Sequence, residues 1–106
     1  MFEVVLAPGA IEGFRALPAR VRSIVRDAME RHLRHEPART SKSRIKRLRG
    51  MSRPQYRLRI DEIRVFYDIN QETVEVLAIV SKAEAQRWLD AEGTRAEADR
   101  PREGER

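Results

Sequence analysis

Apolar and polar positions recur along the chain with two periods. Phe2-Glu3-Val4-Val5-Leu6 puts Phe2, Val4 and Leu6 on one face, the period of two of a half-buried strand. Ala7-Pro8-Gly9 breaks it, and Ala10, Ile11, Phe14 and Leu17 follow at helical spacing. Pro18 ends that helix and suits the first turn of the next. There Val21, Ile24, Val25, Ala28, Met29 and Leu33 form one apolar stripe, with Arg22, Arg26, Glu30 and Arg34 on the other side. Pro37 stops it. The pattern predicts a helical hairpin with one buried face.

Residues 38–53 read as a loop of Arg, Lys and Ser, with Leu48 an isolated apolar anchor and Gly50 permitting a turn. Three strands are expected next. Tyr56, Leu58 and Ile60 alternate with Arg57, Arg59 and Asp61. Ile63, Val65, Tyr67 and Ile69 alternate with Arg64, Phe66 and Asp68. Val74, Val76, Ala78 and Val80 alternate with Glu75, Leu77 and Ile79. Asp61-Glu62 and Asn70–Thr73 are the turns, although Asp-Glu is a poor type I′ pair. Ala83, Ala85, Trp88 and Leu89 suggest a last short helix, N-capped by Ser81. Residues 92–106 carry almost nothing apolar and read as a disordered polar tail behind a domain of residues 1–91. The order β-α-α-β-β-β-α gives an α+β fold, an antiparallel sheet with the helical hairpin on one face. The other face is open and basic, with Arg57, Arg59, Arg64 and Phe66.

With 106 residues the chain is one domain by length. It has no cysteine, which excludes disulfides and thiolate metal sites, and only His32 and His35, which disfavours chemistry on a His dyad. His32 reads as packed and His35 as solvated. No P-loop or metal-ligand spacing occurs, so no cofactor or metal is expected. No apolar run approaches the roughly 20 residues of a membrane helix. Met1-Phe2-Glu3-Val4 lacks the features of a signal peptide. The expectation is a cytoplasmic protein without a membrane partner.

Charge changes the picture more. Between residues 39 and 64 stand Arg39, Lys42, Arg44, Lys46, Arg47, Arg49, Arg53, Arg57, Arg59 and Arg64, opposed only by Asp61 and Glu62. That segment carries +8 of a net +5, leaving −3 for the rest. A basic stripe on an acidic body is the footprint of a polyanion binder. A symmetric turn at Asp61-Glu62 would set Arg59 opposite Arg64 and Arg57 opposite Phe66. Opposed arginines repel, and the arrangement makes sense with an anion between them. Solvated arginines neutralised by Asp61, Glu62 or Asp68 are the plainer alternative. Phe66 beside arginines suits base stacking. It would equally suit a covering last helix.

Lys46-Arg47-Leu48-Arg49-Gly50-Met51, Tyr56-Arg57-Leu58-Arg59-Ile60 and Ile63-Arg64-Val65-Phe66-Tyr67-Asp68-Ile69 resemble the pattern of RelE/ParE toxins of type II toxin–antitoxin systems, RelE-like in particular. The resemblance spans about residues 2–90. It implies a cognate antitoxin. It also implies metal-independent cleavage of mRNA in the ribosomal A site, by attack of a ribose 2′-OH on the adjacent phosphate. Carried over, Arg57, Arg59, Arg64 and Lys82 become the catalytic cations. Lys46, Arg47, Arg49, Phe66 and Trp88 become RNA contacts. Trp88 stands where these toxins have a tyrosine, and it cannot exchange a proton. Arginine stays protonated, so only Lys82 could serve as a base, with a lowered pKa. The resemblance also leaves open a ParE-like inhibitor that binds DNA gyrase, or a toxin that has lost its activity.

Overall fold

The computed structural model describes residues 1–96. The alternation at Tyr56–Ile60 (β4) and Ile63–Asn70 (β5) is realised in the expected register. Ile60 lies opposite Ile63, Arg59 opposite Arg64 and Arg57 opposite Phe66. Asp61 turns the chain at φ 52°, a left-handed conformation that Asp tolerates through local hydrogen bonding. A second turn, with Gln71 at φ 58°, leads into β6 (Thr73–Ser81), antiparallel to β5.

β1 (Glu3–Leu6) runs parallel to β6, with Val4 opposite Val74 and Leu6 opposite Val76. This departs from a wholly antiparallel sheet. The chain leaves β1 through two helices rather than a hairpin, and such a crossover permits parallel pairing. The full order is β1-β6-β5-β4-β2, where β2 is Ile45–Arg47.

The helices α1 (Pro8–Arg15) and α2 (Ala19–Leu33) cross one face of this sheet. Pro8 opens α1, where its missing N–H is not needed. Gly13 lies so close to the Ile79 carbonyl that a Cβ there would overlap it. Only glycine lets α1 approach β6 this closely. Val25, Met29 and Leu33 of α2 are buried against Leu58, Ile60, Val65, Tyr67, Val74, Val76 and Ile79. The buried Tyr67 hydroxyl donates to the Pro37 carbonyl at 2.7 Å, tying the chain after α2 to the sheet. Burial, reinforced by Tyr56, pushes the phenol pKa upward, so it acts as a donor and not as a base.

β6 departs from strict alternation. Phe66 pairs with Ala78 but Tyr67 with Val76, so Leu77 is an extra residue, a β-bulge. The bulge inverts the phase of the residues after it. Ile79 joins the core, while Ala78 lies with Phe66 on the other face. The alternation that grouped Ala78 and Val80 with Val74 and Val76 is therefore corrected.

Two further strands lie in the stretch expected to be loop. β2 (Ile45–Arg47) pairs with β4 and buries Ile45 to 3% exposure. β3 (Met51–Arg53) pairs with β7 (Thr94–Arg95), which follows α3 (Lys82–Glu92). Three-residue strands are too short to show an alternation, so their sequence gives no period-two signal. α3 and β7 thus run past residue 91, to Glu92 and Arg95. The rest of the expected tail, residues 97–106, lies outside the described residues.

Candidate anion site on the basic face of the sheet

The face turned away from α1 and α2 receives every second side chain of β4 and β5. This gathers Arg57, Arg59 and Arg64 on adjacent strands, with Lys46 of β2 directly beside Arg57. The three arginines are not equivalent. Arg59 is exposed. Arg64 is only 6% exposed, and its Nη1 donates to the carbonyls of Asp61 at 2.7 Å and Ile63 at 3.0 Å. Arg57 is half-buried, and its Nε is buried without any hydrogen-bond partner. Burial lowers its pKa, and the neighbouring charges of Arg64 and then Arg59 lower it further. A guanidinium remains charged under such a shift, so the face presents positive charge held against its own repulsion.

The sheet treats its opposed acids differently. Further along, Asp68 and Glu75 are also opposed like charges. There the protein supplies its own counter-ion. Arg53 Nη1 lies 3.2 Å from Asp68 Oδ2 and 3.4 Å from Glu75 Oε1. The Gln55 backbone N–H also donates to Asp68 Oδ1 at 2.7 Å. Burial still raises the Asp68 pKa, against the Gln55 bond and the Arg53 charge. The basic pair has no such partner. Among the described residues none of Arg57, Arg59 and Arg64 takes part in an ion pair. The Arg53 bridge was not anticipated, although opposing Asp68 to Glu75 calls for a cation.

The remaining candidates fall in different places. Lys82 is the exposed first residue of α3, and its backbone N–H donates to the Glu62 carbonyl at 2.7 Å. Ser81 pairs with Ile63, so Lys82 starts at the corner beside Arg59 and Arg64. The positive end of the α3 dipole is there too. Lys46 is exposed on the basic face. Arg47 is exposed but on the opposite face: its guanidinium lies 5.4 Å from the Tyr56 ring centroid, and Nη1 donates to the Gln55 carbonyl at 2.8 Å. One residue along a strand reverses the face, which sends Arg47 to the helix side. Arg49 is exposed and borders a cleft with Leu48, Met51 and Leu89.

Phe66 is corrected outright as an open stacking platform. It is 1% exposed and stacked on Trp88, with ring centroids 5.2 Å apart and planes 6° from parallel. The last helix covers it, and Trp88 spends one ring face doing so. Among the described residues no group of His, Cys, Asp and Glu could hold a metal ion, and no helix is long and apolar enough to cross a membrane.

No family model matches the sequence, and no curated protein matches it. Solved structures do. The isolated RelE toxin of E. coli superposes with a TM-score of 0.64 at 18% identity, over 84% of this chain and 99% of that one. A chain of the RelB–RelE antitoxin–toxin complex from Methanococcus jannaschii gives 0.62 at 14% identity, over 79% and 96%. One from the RelBE2 complex of Mycobacterium tuberculosis gives 0.57 at 23%, over 76% and 96%. Both the helical pair over a mostly antiparallel sheet and the extent of the match place this chain in the RelE toxin fold.

Proposed function

We propose that the protein is the toxin of a toxin–antitoxin pair and that it acts in the cytoplasm as a ribosome-dependent mRNA endonuclease. The observation that carries the reading is the unneutralised cluster of Arg57, Arg59 and Arg64, with a buried, partnerless Nε at its centre. An orphaned buried donor costs about 1–3 kcal/mol. A phosphate on the face, drawing the half-buried Arg57 guanidinium outward, would supply that Nε with an acceptor. Guanidinium groups match phosphate with a planar, permanently charged fork.

In the reaction the ribose 2′-OH loses its proton to water as its oxygen attacks the adjacent phosphate, which passes through a phosphorane carrying extra negative charge before the P–O5′ bond breaks to leave a 2′,3′-cyclic phosphate. Arg57 and Arg59 stabilise that charge. Arg64, fixed by the two turn carbonyls, contributes field more than contact. Lys82 at the mouth of the site is the one flexible donor for the leaving 5′-oxygen. No general base stands among these residues, and Trp88 supplies no phenol. The site therefore furnishes electrostatics and positioning, and fast cutting of free RNA is not expected. The same lack of a base favours a second reading, a gyrase inhibitor acting by binding alone.

Primer extension on transcripts from a translating extract tests the proposal. Wild-type protein should create new ends within translated codons. Unchanged transcripts in cells that still stop growing, with DNA damage signalling, would transfer the activity to gyrase.

A further inference from the structure

A second basic concavity lies on the other side of the β2 edge. It is a cleft of about 440 Å³ lined by Arg31 and His32 of α2, Glu36, Arg39, Ser41 and Arg44 of the link to β2, and Ile45. The link is folded back by its own hydrogen bonds. Ser41 Oγ accepts from the N–H of Arg44 at 3.0 Å and of Ile45 at 3.3 Å, and the Ser41 N–H donates to the Ile45 carbonyl at 2.9 Å. This turn brings Arg44 to the last turn of α2.

We infer that this cleft binds a phosphodiester of RNA, so that a strand held on the basic face continues around the β2 edge onto the helix side. The inference rests on the RNA reading of the basic face. Four cationic or protonatable groups line the cleft against one carboxylate, and Glu36 is committed to Arg39 at 3.0 Å. Among the described residues Arg31 and Arg44 have no ion-pair partner. The negative end of the α2 dipole accounts for Arg31 and His32 in that last turn. It does not account for Arg44, which arrives from the link, where Arg39 is already paired with Glu36. His32 reports on the imbalance. Burial first, then the charges of Arg44 and Arg31, hold its pKa below the ordinary value. A bound phosphate would offset both arginines and draw a proton onto the imidazole.

RNA is favoured over an acidic peptide by continuity. Ile45 lines the cleft, and its neighbour Lys46 points to the opposite face beside Arg57. One strand therefore separates the unpaired arginines of the basic face from the unpaired Arg31 and Arg44 of the cleft. A flexible phosphate chain can turn over that edge and reach both.

The test uses the full chain and a fluorescent single-stranded RNA, 2′-O-methylated so that it is not cut. Arg31→Gln combined with Arg44→Gln should weaken binding about tenfold at low salt. It should also flatten the slope of log affinity against log salt by roughly 1.4, at about 0.7 per lost phosphate contact. Arg31→Lys with Arg44→Lys should keep most of the slope, which separates charge from folding. The His32 imidazole proton signals should shift on adding RNA to wild type and stay fixed in the Gln double variant. Unchanged affinity and slope in that variant overturns the cleft. So does inorganic phosphate, at equal phosphate concentration, shifting His32 as far as RNA does. A glutamate-rich peptide moving His32 where RNA does not would assign the cleft to a protein partner and overturn it too. Arg59→Ala, measured in parallel, isolates the basic face. Loss there alone sinks the cleft and leaves the proposed function, while loss in the double variant alone does the reverse.

Discussion

Arg59 and Arg64 face each other across β4 and β5 with different freedom, and substitution should separate their roles. Arg59 is exposed, and among the described residues its side chain takes part in no ion pair. Arg59→Ala should change stability by no more than about 0.5 kcal/mol, as exposed substitutions do, with relief of repulsion favouring the mutant. Toxicity should fall sharply in a growth assay, and a fully toxic variant would move the active surface elsewhere. Arg64→Ala removes two bonds to turn carbonyls and should lower the melting temperature as well. pH offers a second test at this scale. The His32 pKa is lowered in the fold from an ordinary 6.5, so on acidification the unfolded chain takes up its proton first. Stability contributed at this position is intact above the ordinary value and is lost as pH falls through it toward the folded pKa. Asp68 acts in the opposite sense. Its pKa is raised from an ordinary 3.8, so the fold loses stability there as pH rises from that value through the folded one. Melting temperatures of wild type and His32→Gln should converge near pH 5 relative to their gap at pH 8. A gap independent of pH would show that His32 carries no such linkage.

At the level of elements, what the sequence revealed depended on length. β4 and β5 show alternation over Tyr56–Ile60 and Ile63–Asn70, and their register followed from one turn. β6 shows it too, but a bulge at Leu77 is written in backbone conformation and not in the order of apolar residues, so Ala78 and Ile79 were placed on the wrong faces. β2 and β7 are held by backbone pairing, which any side chains permit, and so were invisible. That affected the site directly. Without β2, nothing said that Lys46 and Arg47 point to opposite faces. α3 offers an element-scale prediction. It buries no residue fully, so its hold on the sheet comes from Trp88 on Phe66 and from β7 on β3. The β7 clasp adds the Ala96 N–H to the Gly50 carbonyl at 2.9 Å and the Ser52 hydroxyl to the Thr94 carbonyl at 3.2 Å. At about 1 kcal/mol per net hydrogen bond, a chain ending at Glu92 should melt several degrees below one ending at Ala96, since 1 kcal/mol shifts a domain of this size by about 4–8 °C. Equal melting temperatures would mean that β7 contributes nothing. Trp88→Ala should lose about 0.5–1.5 kcal/mol from the stack, beyond the lost buried area, and uncover Phe66.

For the molecule as a whole, the fold alone does not choose a target, because one scaffold can present different surfaces. What distinguishes this chain is a basic face whose like charges are left unpaired while the acidic pair of the same sheet is bridged by Arg53. A surface that only docks onto a protein has no need of a buried, partnerless Arg57 Nε. A surface that must grip a phosphate tightly in its most highly charged state does. The proposed catalysis and folding then make opposite demands on Arg57 and Arg59, and replacing both by Gln, with Arg64 left on its turn carbonyls, should expose the conflict. Mutual repulsion falls, so the melting temperature should hold or rise. RNA affinity should fall, with the salt slope flattened by up to about 1.4 if each of the two meets one phosphate. Lys82→Ala should behave differently. Its side chain is exposed and lies outside the strand cluster. Binding of uncleavable RNA should change by at most one phosphate contact, while cutting in a translating extract should drop further than binding does. That split between binding and cutting is the mark of a group that acts in the transition state, and a gyrase inhibitor has no reason to show it. If Lys82→Ala cuts as well as wild type, the leaving oxygen is protonated by another group, and the mechanism rests on the strand arginines alone.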